Sequence, residues 1–301
     1  MGLNRKISIK KPEWVRSQLP GGEEFVEVKS NLRAKGLYTV CEEAKCPNLA
    51  ECWSAKTATM MILGDVCTRA CKFCNVKTGD PAGLVNSQEI ENARKMVEVM
   101  DLNYLVLTSV DRDDLPDHGA GHFVAIVEEI ARCYPEVKVE VLIPDFGGVE
   151  ARMRRLAESQ PFVIAQNIET VKRLTHPVRD RRAGYQKTLD VLKFYGEEYP
   201  EIATKSSLML GLGETDQEIE ETLLDLRKVG VKIATLGQYL QPSRRHLAVE
   251  KYYKPEEFER YKRMAESMGF EFVASGVMVR SSYKAKDYWD YLEAKKGVKI
   301  D

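Results

Sequence analysis

The chain has 301 residues, of which 44% are hydrophobic and 30% are charged, and its formal net charge is -1. This length suits one large α/β domain with extensions or two smaller domains, and the composition is that of a globular protein. The balance of 45 basic and 46 acidic side chains gives no overall reason to expect nucleic-acid binding. The sequence contains no apolar run as long as a membrane span and no signal-peptide core at its N-terminus. We therefore expect a protein of the cytoplasm or of an organelle matrix.

The first segment, residues 1–57, carries three cysteines that we call the N-terminal triplet: Cys41, Cys46 and Cys52, spaced C-x4-C-x5-C. Six of the seven cysteines of the chain lie in its first quarter. This clustering and the odd total fit metal ligation in a reducing compartment better than a disulfide framework. Three thiolates leave one metal position to be filled from elsewhere, so a structural zinc or cluster and a functional iron–sulfur cluster are both compatible with the triplet.

A second group, the loop triplet, follows an apolar run at 59–64 and consists of Cys67, Cys71 and Cys74, spaced C-x3-C-x2-C. Three thiolates this close can hold three corners of a cubane cluster and leave the fourth iron without a protein ligand. An open iron can bind a small molecule, which indicates chemistry rather than electron storage. A zinc site would need a fourth Cys or His nearby, and the nearest downstream histidine is His118.

From about Thr57 onward, apolar strand-like runs alternate with segments of helical periodicity. This alternation predicts parallel strands joined by right-handed crossovers. Six such units predict an α/β protein with a partial (β/α)6 TIM-like barrel. The predicted strands lie at 59–64, 103–109, 137–143, 162–165, 204–211 and 233–239, and the predicted helices lie near 88–100, 121–134, 148–159, 184–199, 215–229 and 255–268.

The predicted organisation has three parts. Residues 1–57 form an N-terminal extension with the N-terminal triplet, residues 58–270 form the barrel, and residues 271–301 form a C-terminal tail. We expect both extensions to cover the mouth of the barrel, because barrels of this type carry their chemistry at the C-terminal ends of the strands.

Polar side chains collect where the predicted strands end, on the same rim as the loop triplet. Each group alone is also explained by turn or cap chemistry, as Thr215 with Glu218 is explained by a capping box. Five groups on one rim favour a binding site. Its candidates are Thr108, Asp111, Asn167, Glu169, Lys205 and Gln238.

Several motifs carry a resemblance to a known family. The C-x3-C-x2-C loop with Phe73 before its last cysteine is typical of radical S-adenosylmethionine (SAM) enzymes. Joined to the N-terminal triplet and to Arg280-Ser-Ser-Tyr, it resembles lipoyl synthases over nearly the whole chain. Further matching motifs are Thr39-Val-Cys-Glu-Glu-Ala-Lys-Cys-Pro-Asn, Met61-Ile-Leu-Gly-Asp, Val110-Asp-Arg-Asp-Asp-Leu-Pro-Asp, Asn167-Ile-Glu-Thr-Val, Met209-Leu-Gly-Leu-Gly-Glu-Thr and Gly237-Gln-Tyr-Leu-Gln-Pro.

The resemblance implies a radical mechanism with two [4Fe-4S] clusters and SAM. The cluster on the loop triplet would bind SAM and, once reduced, generate a 5′-deoxyadenosyl radical. That radical would remove hydrogen atoms from carbons 6 and 8 of a protein-bound octanoyl chain. For SAM we expect Phe73 near the adenine, with Thr108, Asp111, Asn167, Glu169, Lys205 and Gln238 as further candidate contacts.

By the same resemblance, the cluster on the N-terminal triplet would be an auxiliary cluster that supplies both sulfur atoms. We assign its fourth ligand to Ser282, with Ser281 as the alternative. A serine oxygen binds such iron more weakly than a thiolate, so the cluster could open there as it loses sulfide. A polar turn is the competing explanation for Arg280-Ser-Ser.

The implied partners are octanoylated lipoyl carrier domains, such as the glycine cleavage carrier protein and 2-oxoacid dehydrogenase acyltransferase subunits. An electron donor such as ferredoxin or flavodoxin and an iron–sulfur carrier are also implied, whereas nucleic acid and membrane are not. Two other hypotheses remain: a different radical enzyme that inserts sulfur or transfers methylthio groups, and a non-catalytic iron–sulfur electron carrier or sensor. Release of 5′-deoxyadenosine would exclude the electron carrier.

Overall fold

A computed structural model describes residues 9–15, 30, 48–54, 56–283 and 285–297. Its main sheet has seven parallel strands in the order β1-β4-β5-β6-β7-β8-β9, and β2 pairs with β3 beside it. The strands are β1 Thr57–Ile62, β2 Val66–Cys67, β3 Lys77–Thr78, β4 Tyr104–Ser109, β5 Lys138–Leu142, β6 Val163–Ala165, β7 Ala203–Leu210, β8 Ile233–Gln238 and β9 Phe272–Gly276. The α-helices within the described ranges are α1 Leu49–Ser54, α2 Gln88–Val99, α3 Ala120–Cys133, α4 Glu150–Glu158, α5 Thr175–Val178, α6 Tyr185–Glu198, α7 Asp216–Lys228, α8 Pro255–Ser267 and α9 Lys286–Gly297.

Hydrophobic periodicity explains why these segments form their elements. Strand β4 is buried along Tyr104–Leu107, as expected for a parallel strand with one face toward helices and the other toward the barrel interior. Helix α3 buries Phe123, Val127 and Ile130, which recur at helical spacing on one face. Within the described ranges, no helix combines the length and the apolar character needed to cross a membrane.

The predicted partial barrel is confirmed. All six predicted strands and all six predicted helices are present, with bounds that differ by a few residues. A seventh strand, β9, extends the sheet beside β8, although the sequence analysis assigned these residues to the tail. Strand β9 contains small residues and is only partly buried, so it lacks the continuous apolar run that marks the other strands.

The segments before β1 and after β9 contact each other. The side-chain amide of Asn48 donates to the carbonyl oxygen of Met278 at 2.7 Å, and the Tyr283 hydroxyl donates to Glu51 at 2.8 Å. Because β1 and β9 are the two ends of the strand order, these contacts join the open sides of the sheet.

Helix α9 corrects the expectation that the whole C-terminal tail covers the mouth. Its Tyr288 packs against Val163, Ala203 and Ile233, which are the first residues of β6, β7 and β8. The helix therefore lies at the end of the barrel opposite to the mouth. Residues 279–281 do line a cavity at the mouth.

Candidate active site at the barrel mouth

A cavity of about 250 Å³ opens at the C-terminal ends of the strands, and all three cysteines of the loop triplet line it. A second cavity, of about 230 Å³, shares Phe73, Asn167 and Glu169 with the first. The polar rim and the cysteine loop predicted from the sequence thus come together around two adjoining cavities.

The turn after β1 sets the direction in which the cysteine loop leaves the sheet. Leu63 and Gly64 both have left-handed backbone conformations, with φ of 66° and 83°. The Glu89 carboxylate accepts hydrogen bonds from both amides, at 2.7 and 3.1 Å. The buried Arg112 donates to the Leu63 carbonyl at 3.0 Å. Such a conformation is costly for leucine unless the surrounding contacts hold it, and Glu89 and Arg112 provide those contacts.

Backbone amides point at all three sulfur atoms, and the amide at Cys74 is that of Val76. The amides of Arg69 and Asp111 each donate to Cys67 Sγ at 3.4 Å. The Asp180 amide donates to Cys71 Sγ at 3.2 Å. Amide donors stabilise negative charge on sulfur, so these contacts favour thiolates at the loop triplet.

The thiols of the loop triplet fit a soft metal centre. Burial raises the pKa of Cys71 to about 12 and that of Cys74 to about 11. At neutral pH such thiols ionise only beside a cation, and iron is a cation that thiolate ligands favour. Three cysteines that line one cavity therefore fit an iron–sulfur cluster with one open position.

Arg69 anchors the cysteine loop to carboxylates from two strand ends. Its guanidinium donates twice to Asp113, at 2.9 and 2.7 Å, and twice to Asp145, at 2.8 and 2.7 Å. Asp111 lies 3.2 Å away. Burial would raise the pKa of Asp113, but Arg69 outweighs it and holds that pKa at about 2. Burial raises the pKa of Asp111 to about 6.

Two further loops hold the cysteine loop from its other side. The Lys72 amide donates to the Val178 carbonyl at 2.9 Å, and the Leu247 amide donates to the Lys72 carbonyl at 3.3 Å. The imidazole Nε2 of His246 lies 3.0 Å from the Cys74 carbonyl oxygen. The loop triplet is thus fixed by the chain after β4, before α6 and after β8.

The candidates Asn167 and Glu169 line both cavities. The Asn167 side-chain amide donates to Glu169 at 3.1 Å, and its Oδ1 is buried with no hydrogen-bond partner among the described residues. Glu169 has a left-handed φ of 67°, and burial raises its pKa while Arg179 opposes that rise. An unsatisfied acceptor and a strained acidic residue in a cavity indicate a ligand site.

The polar groups of two other candidates, Lys205 and Gln238, bond to other groups of the protein. Lys205 donates to Glu140 at 2.7 Å in a buried pair, and it lines neither of the two cavities. Gln238 lines the second cavity, but backbone groups use its side-chain amide. Its Nε2 donates to the carbonyls of Leu210, Tyr239 and Lys251, and its Oε1 accepts from the Tyr253 amide.

The remaining candidates, Phe73, Thr108 and Asp111, all line the cavities at the mouth. Phe73 lines both cavities, and Thr108 and Asp111 line the first. Sequence reasoning missed Asp145 and Arg179, which also line the first cavity. Asp145 follows the predicted strand at 137–143 and could have been found by the same strand-end rule as the others.

The predicted auxiliary site is described in part. Cys52 is half-buried in α1. Burial and the bond to Glu51 raise the pKa of Tyr283, and negative charge on Cys52 adds to that rise. Ser281 lines the second cavity, and Ser282 adjoins Tyr283 in the chain. Cys41 and Cys46 lie outside the described residues. The segment with Cys52 and the segment with the two serines are therefore neighbours.

Two family models match the chain. The model of the Radical SAM superfamily matches residues 61–226, and the model of the N-terminal domain of lipoyl synthase matches residues 2–46. The first match covers more than half of the chain. It contains the last two residues of β1, the loop triplet and β2 to β7, and it ends at Leu226 in the last turn of α7.

Solved structures with the same fold are distant in sequence. Methylornithine synthase (PylB) is 11% identical with a TM-score of 0.52, over 89% of this chain and 91% of that one. SuiB from Streptococcus suis is also 11% identical, with a TM-score of 0.56 over 83% of this chain. Only 60% of the SuiB chain is covered. These likenesses support the barrel fold alone.

Curated relatives are much more similar. Lipoyl synthase of Francisella philomiragia is 53% identical over 93% of this chain and 85% of its own length. Lipoyl synthase of Marinobacter nauticus is 55% identical over 93% of this chain and 81% of its own length. This identity over most of both chains, together with the loop triplet in its cavity, shows that the chain belongs to the lipoyl synthase family of radical SAM enzymes.

Proposed function

We propose that this chain inserts two sulfur atoms, at carbons 6 and 8, into an octanoyl chain attached to a lysine of a carrier domain. The observation that carries the proposal is the cavity in which the loop triplet meets the polar ends of the strands. Acid–base groups cannot break an unactivated C–H bond, so a cofactor must perform that step. Family membership makes SAM and an iron–sulfur cluster cofactors of this chain.

Cys67, Cys71 and Cys74 would hold a [4Fe-4S] cluster, which supplies the one-electron cleavage of SAM when bound. The protein itself would bind and orient SAM in the cavity. Asn167 Oδ1, which is buried and lacks a partner among the described residues, could accept a hydrogen bond from it, and the Glu169 carboxylate could accept another. Phe73 and Thr108 would add contacts. We leave out Lys205 and Gln238 because their polar atoms already bond to other protein groups.

A second [4Fe-4S] cluster, on the N-terminal triplet with Ser282 as its fourth ligand, would supply the sulfur. The contact between Tyr283 and Glu51 supports this part of the proposal, because each of these residues adjoins one of the proposed ligands in the chain. Ser281, which lines the second cavity, is the alternative ligand.

The substrates would be octanoylated carrier domains, such as the glycine cleavage carrier protein and acyltransferase subunits of 2-oxoacid dehydrogenases. Ferredoxin or flavodoxin would deliver electrons, and an iron–sulfur carrier would restore the auxiliary cluster. We propose that the chain acts in the cytoplasm.

The test uses anaerobically reconstituted protein with SAM, a reductant and an octanoyl-lysyl peptide. We expect release of 5′-deoxyadenosine and a peptide mass that reflects the gain of two sulfur atoms. Cys71→Ala should lose both products, whereas Cys133→Ala, at the end of α3, should retain them. Release of 5′-deoxyadenosine without any gain of sulfur, with both clusters intact, would contradict the assigned reaction. An electron carrier or sensor would release no 5′-deoxyadenosine.

A further inference from the structure

Positive charge is concentrated in three segments around the cysteine loop. The chain as a whole has a net charge of -1, but residues 70–78, 176–187 and 241–249 together carry eight lysines and arginines and a single acidic residue. That acidic residue, Asp180, is bonded to Arg182 at 2.9 Å and to the Ala70 amide at 2.9 Å. The eight basic residues are Lys72, Lys77, Arg179, Arg181, Arg182, Lys187, Arg244 and Arg245.

These segments adjoin each other in space. Lys72 lies between two cysteines of the loop triplet, and its backbone bonds to Val178 on one side and to Leu247 on the other. The Arg182 guanidinium donates to the Thr68 carbonyl at 2.5 Å. Charges from three distant parts of the sequence therefore gather over the same loop.

Four of these residues form what we call the basic surface: Lys72, Arg181, Arg244 and Arg245. All four are exposed, and none has an ion pair within the part of the chain that the structure describes. A net excess of exposed, uncompensated cations raises the local potential and attracts an anionic surface.

The basic surface does not lead into the cavities. Neither cavity is lined by any of its four residues. It covers the outer side of the loop whose three cysteines face the first cavity. A partner docked there would approach the cysteine loop from outside, while SAM and the octanoyl chain would occupy the cavities.

We propose that the basic surface docks an acidic protein that donates single electrons at low potential. This inference rests on the proposed function, in which each SAM cleaved requires one electron. At that step the donor is oxidised by one electron, the cluster on the loop triplet is reduced by one, and no covalent bond forms between the two proteins. The octanoylated carrier domain fits the basic surface less well than an electron donor does. A carrier docked there would have to place its octanoyl chain in the cavities, and the basic surface borders neither of them.

The experiment compares two reductants on the reconstituted enzyme. Flavodoxin hydroquinone is an acidic protein that must dock, whereas the methyl viologen radical is a small cation that the basic surface cannot attract. The test variant is Arg181→Glu/Arg244→Glu/Arg245→Glu. The matched control is Arg132→Glu/Lys193→Glu/Lys228→Glu, whose three residues are exposed on α3, α6 and α7 away from the cysteine loop.

At low ionic strength we expect the test variant to release 5′-deoxyadenosine at least tenfold more slowly than the unmodified enzyme with flavodoxin, and equally fast with viologen. The control should match the unmodified enzyme with both. Salt should slow the flavodoxin reaction of the unmodified enzyme, and it should speed that of the test variant because it screens the new repulsion between the glutamates and the acidic donor.

If the test variant released 5′-deoxyadenosine with flavodoxin as fast as the unmodified enzyme, the proposal would be overturned. An equal loss of rate with both reductants would also overturn it, because the three arginines would then support the structure of the loop. A raised KM for an octanoylated carrier domain, with the flavodoxin rate unchanged, would assign the surface to the substrate protein. If even the unmodified enzyme released no 5′-deoxyadenosine with viologen, the proposed function itself would fail.

Discussion

The Tyr283 hydroxyl donates to the Glu51 carboxylate at 2.8 Å, and this bond joins the Arg-Ser-Ser-Tyr segment to the helix that carries Cys52. The two residues are separated by most of the chain. The bond therefore holds the segment that contains Ser282 next to the segment that contains Cys52. It is the described contact on which the proposed auxiliary site depends most directly.

Tyr283→Phe removes this bond and should lower the free energy of unfolding by about 1 kcal/mol. We expect the yield of doubly sulfurated product to fall severalfold, because the segment with Ser282 is no longer held beside α1. Cleavage of SAM in the absence of octanoyl substrate should persist. Tyr288→Phe is the control, since it removes a similar bond, to Glu271 at 3.0 Å, at the other end of the barrel. Equal sulfur yields from the two variants would contradict the role of Tyr283.

The pairing of Asp113 with Arg69 predicts a pH dependence of stability. Arg69 lowers the folded-state pKa of Asp113 from its ordinary value of 3.8 to about 2. The folded state therefore binds the proton less tightly than the unfolded state. The stabilisation, about 2 kcal/mol, is present above pH 4 and is lost as the pH falls through about 2.

Urea unfolding of the metal-free protein and of Asp113→Asn at several pH values measures this effect. We expect the difference in unfolding free energy between the two proteins to shrink as the pH falls from 5 to 3. A difference that stays constant over this range would show that Arg69 does not stabilise the ionised form of Asp113.

Asn167 and Gln238 should respond differently to truncation. Asn167→Ala should weaken SAM binding about tenfold, because the Oδ1 atom that it removes has no partner among the described residues. Its stability should fall by only about 1 kcal/mol, from the lost bond to Glu169. Gln238→Ala should instead lower the free energy of unfolding by about 2 kcal/mol or more, because several backbone groups lose their partner. Calorimetric SAM titration and denaturant unfolding of both variants separate the two effects. The opposite pattern would make Gln238 the ligand contact.

Lys205 and Glu140 form a buried ion pair that Tyr104 completes by donating to Glu140 at 3.0 Å. Lys205→Met leaves a buried carboxylate unpaired and should lower the free energy of unfolding by about 3 kcal/mol or more. Lys205→Met/Glu140→Gln should recover most of that loss. SAM affinity, measured on the recovered double variant, should be close to that of the unmodified protein. A tenfold loss of SAM affinity in the double variant would instead indicate that Lys205 contacts SAM.

Gly237 allows the tail to approach the end of β8. A Cβ at this position would collide with the Val279 carbonyl oxygen, so Gly237→Ala should displace residues 279–281 from the second cavity. We expect a raised KM for the octanoyl substrate and a loss of stability of about 1 kcal/mol or more. Gly184→Ala is the control, because its Cβ would meet no atom nearer than 3.5 Å. Identical KM values in both variants would exclude this role of Gly237.

Much of the fold followed from local patterns. Strand–helix alternation located the six strands and six helices, and cysteine spacing located the loop that lines the cavity. These features depend on residues close together in the sequence. Of the predicted auxiliary ligands, Cys52 and the two serines lie among the described residues, and Cys41 and Cys46 lie outside them.

Long-range geometry decides what local patterns leave open. The strand-end rule predicts Lys205 as a site residue, but Lys205 is the third residue of β7 and lies level with Ile233, the first residue of β8. It therefore faces the deeper part of the barrel, where Glu140 pairs with it. Gln238 does lie at a strand end, yet its partners lie up to 28 positions away, at the end of β7 and in the loop after β8. Arg69 and Asp145 are 76 residues apart, and no local pattern links them.

The contacts of Asn48 with Met278 and of Glu51 with Tyr283 also bear on how the protein is made. The strands from β1 to β8 emerge from the ribosome before residues 278–283 are translated, so the side of the barrel between β1 and β9 stays open to solvent until synthesis has passed that point. Nascent chains would expose apolar interior during this interval, when chaperones could bind them.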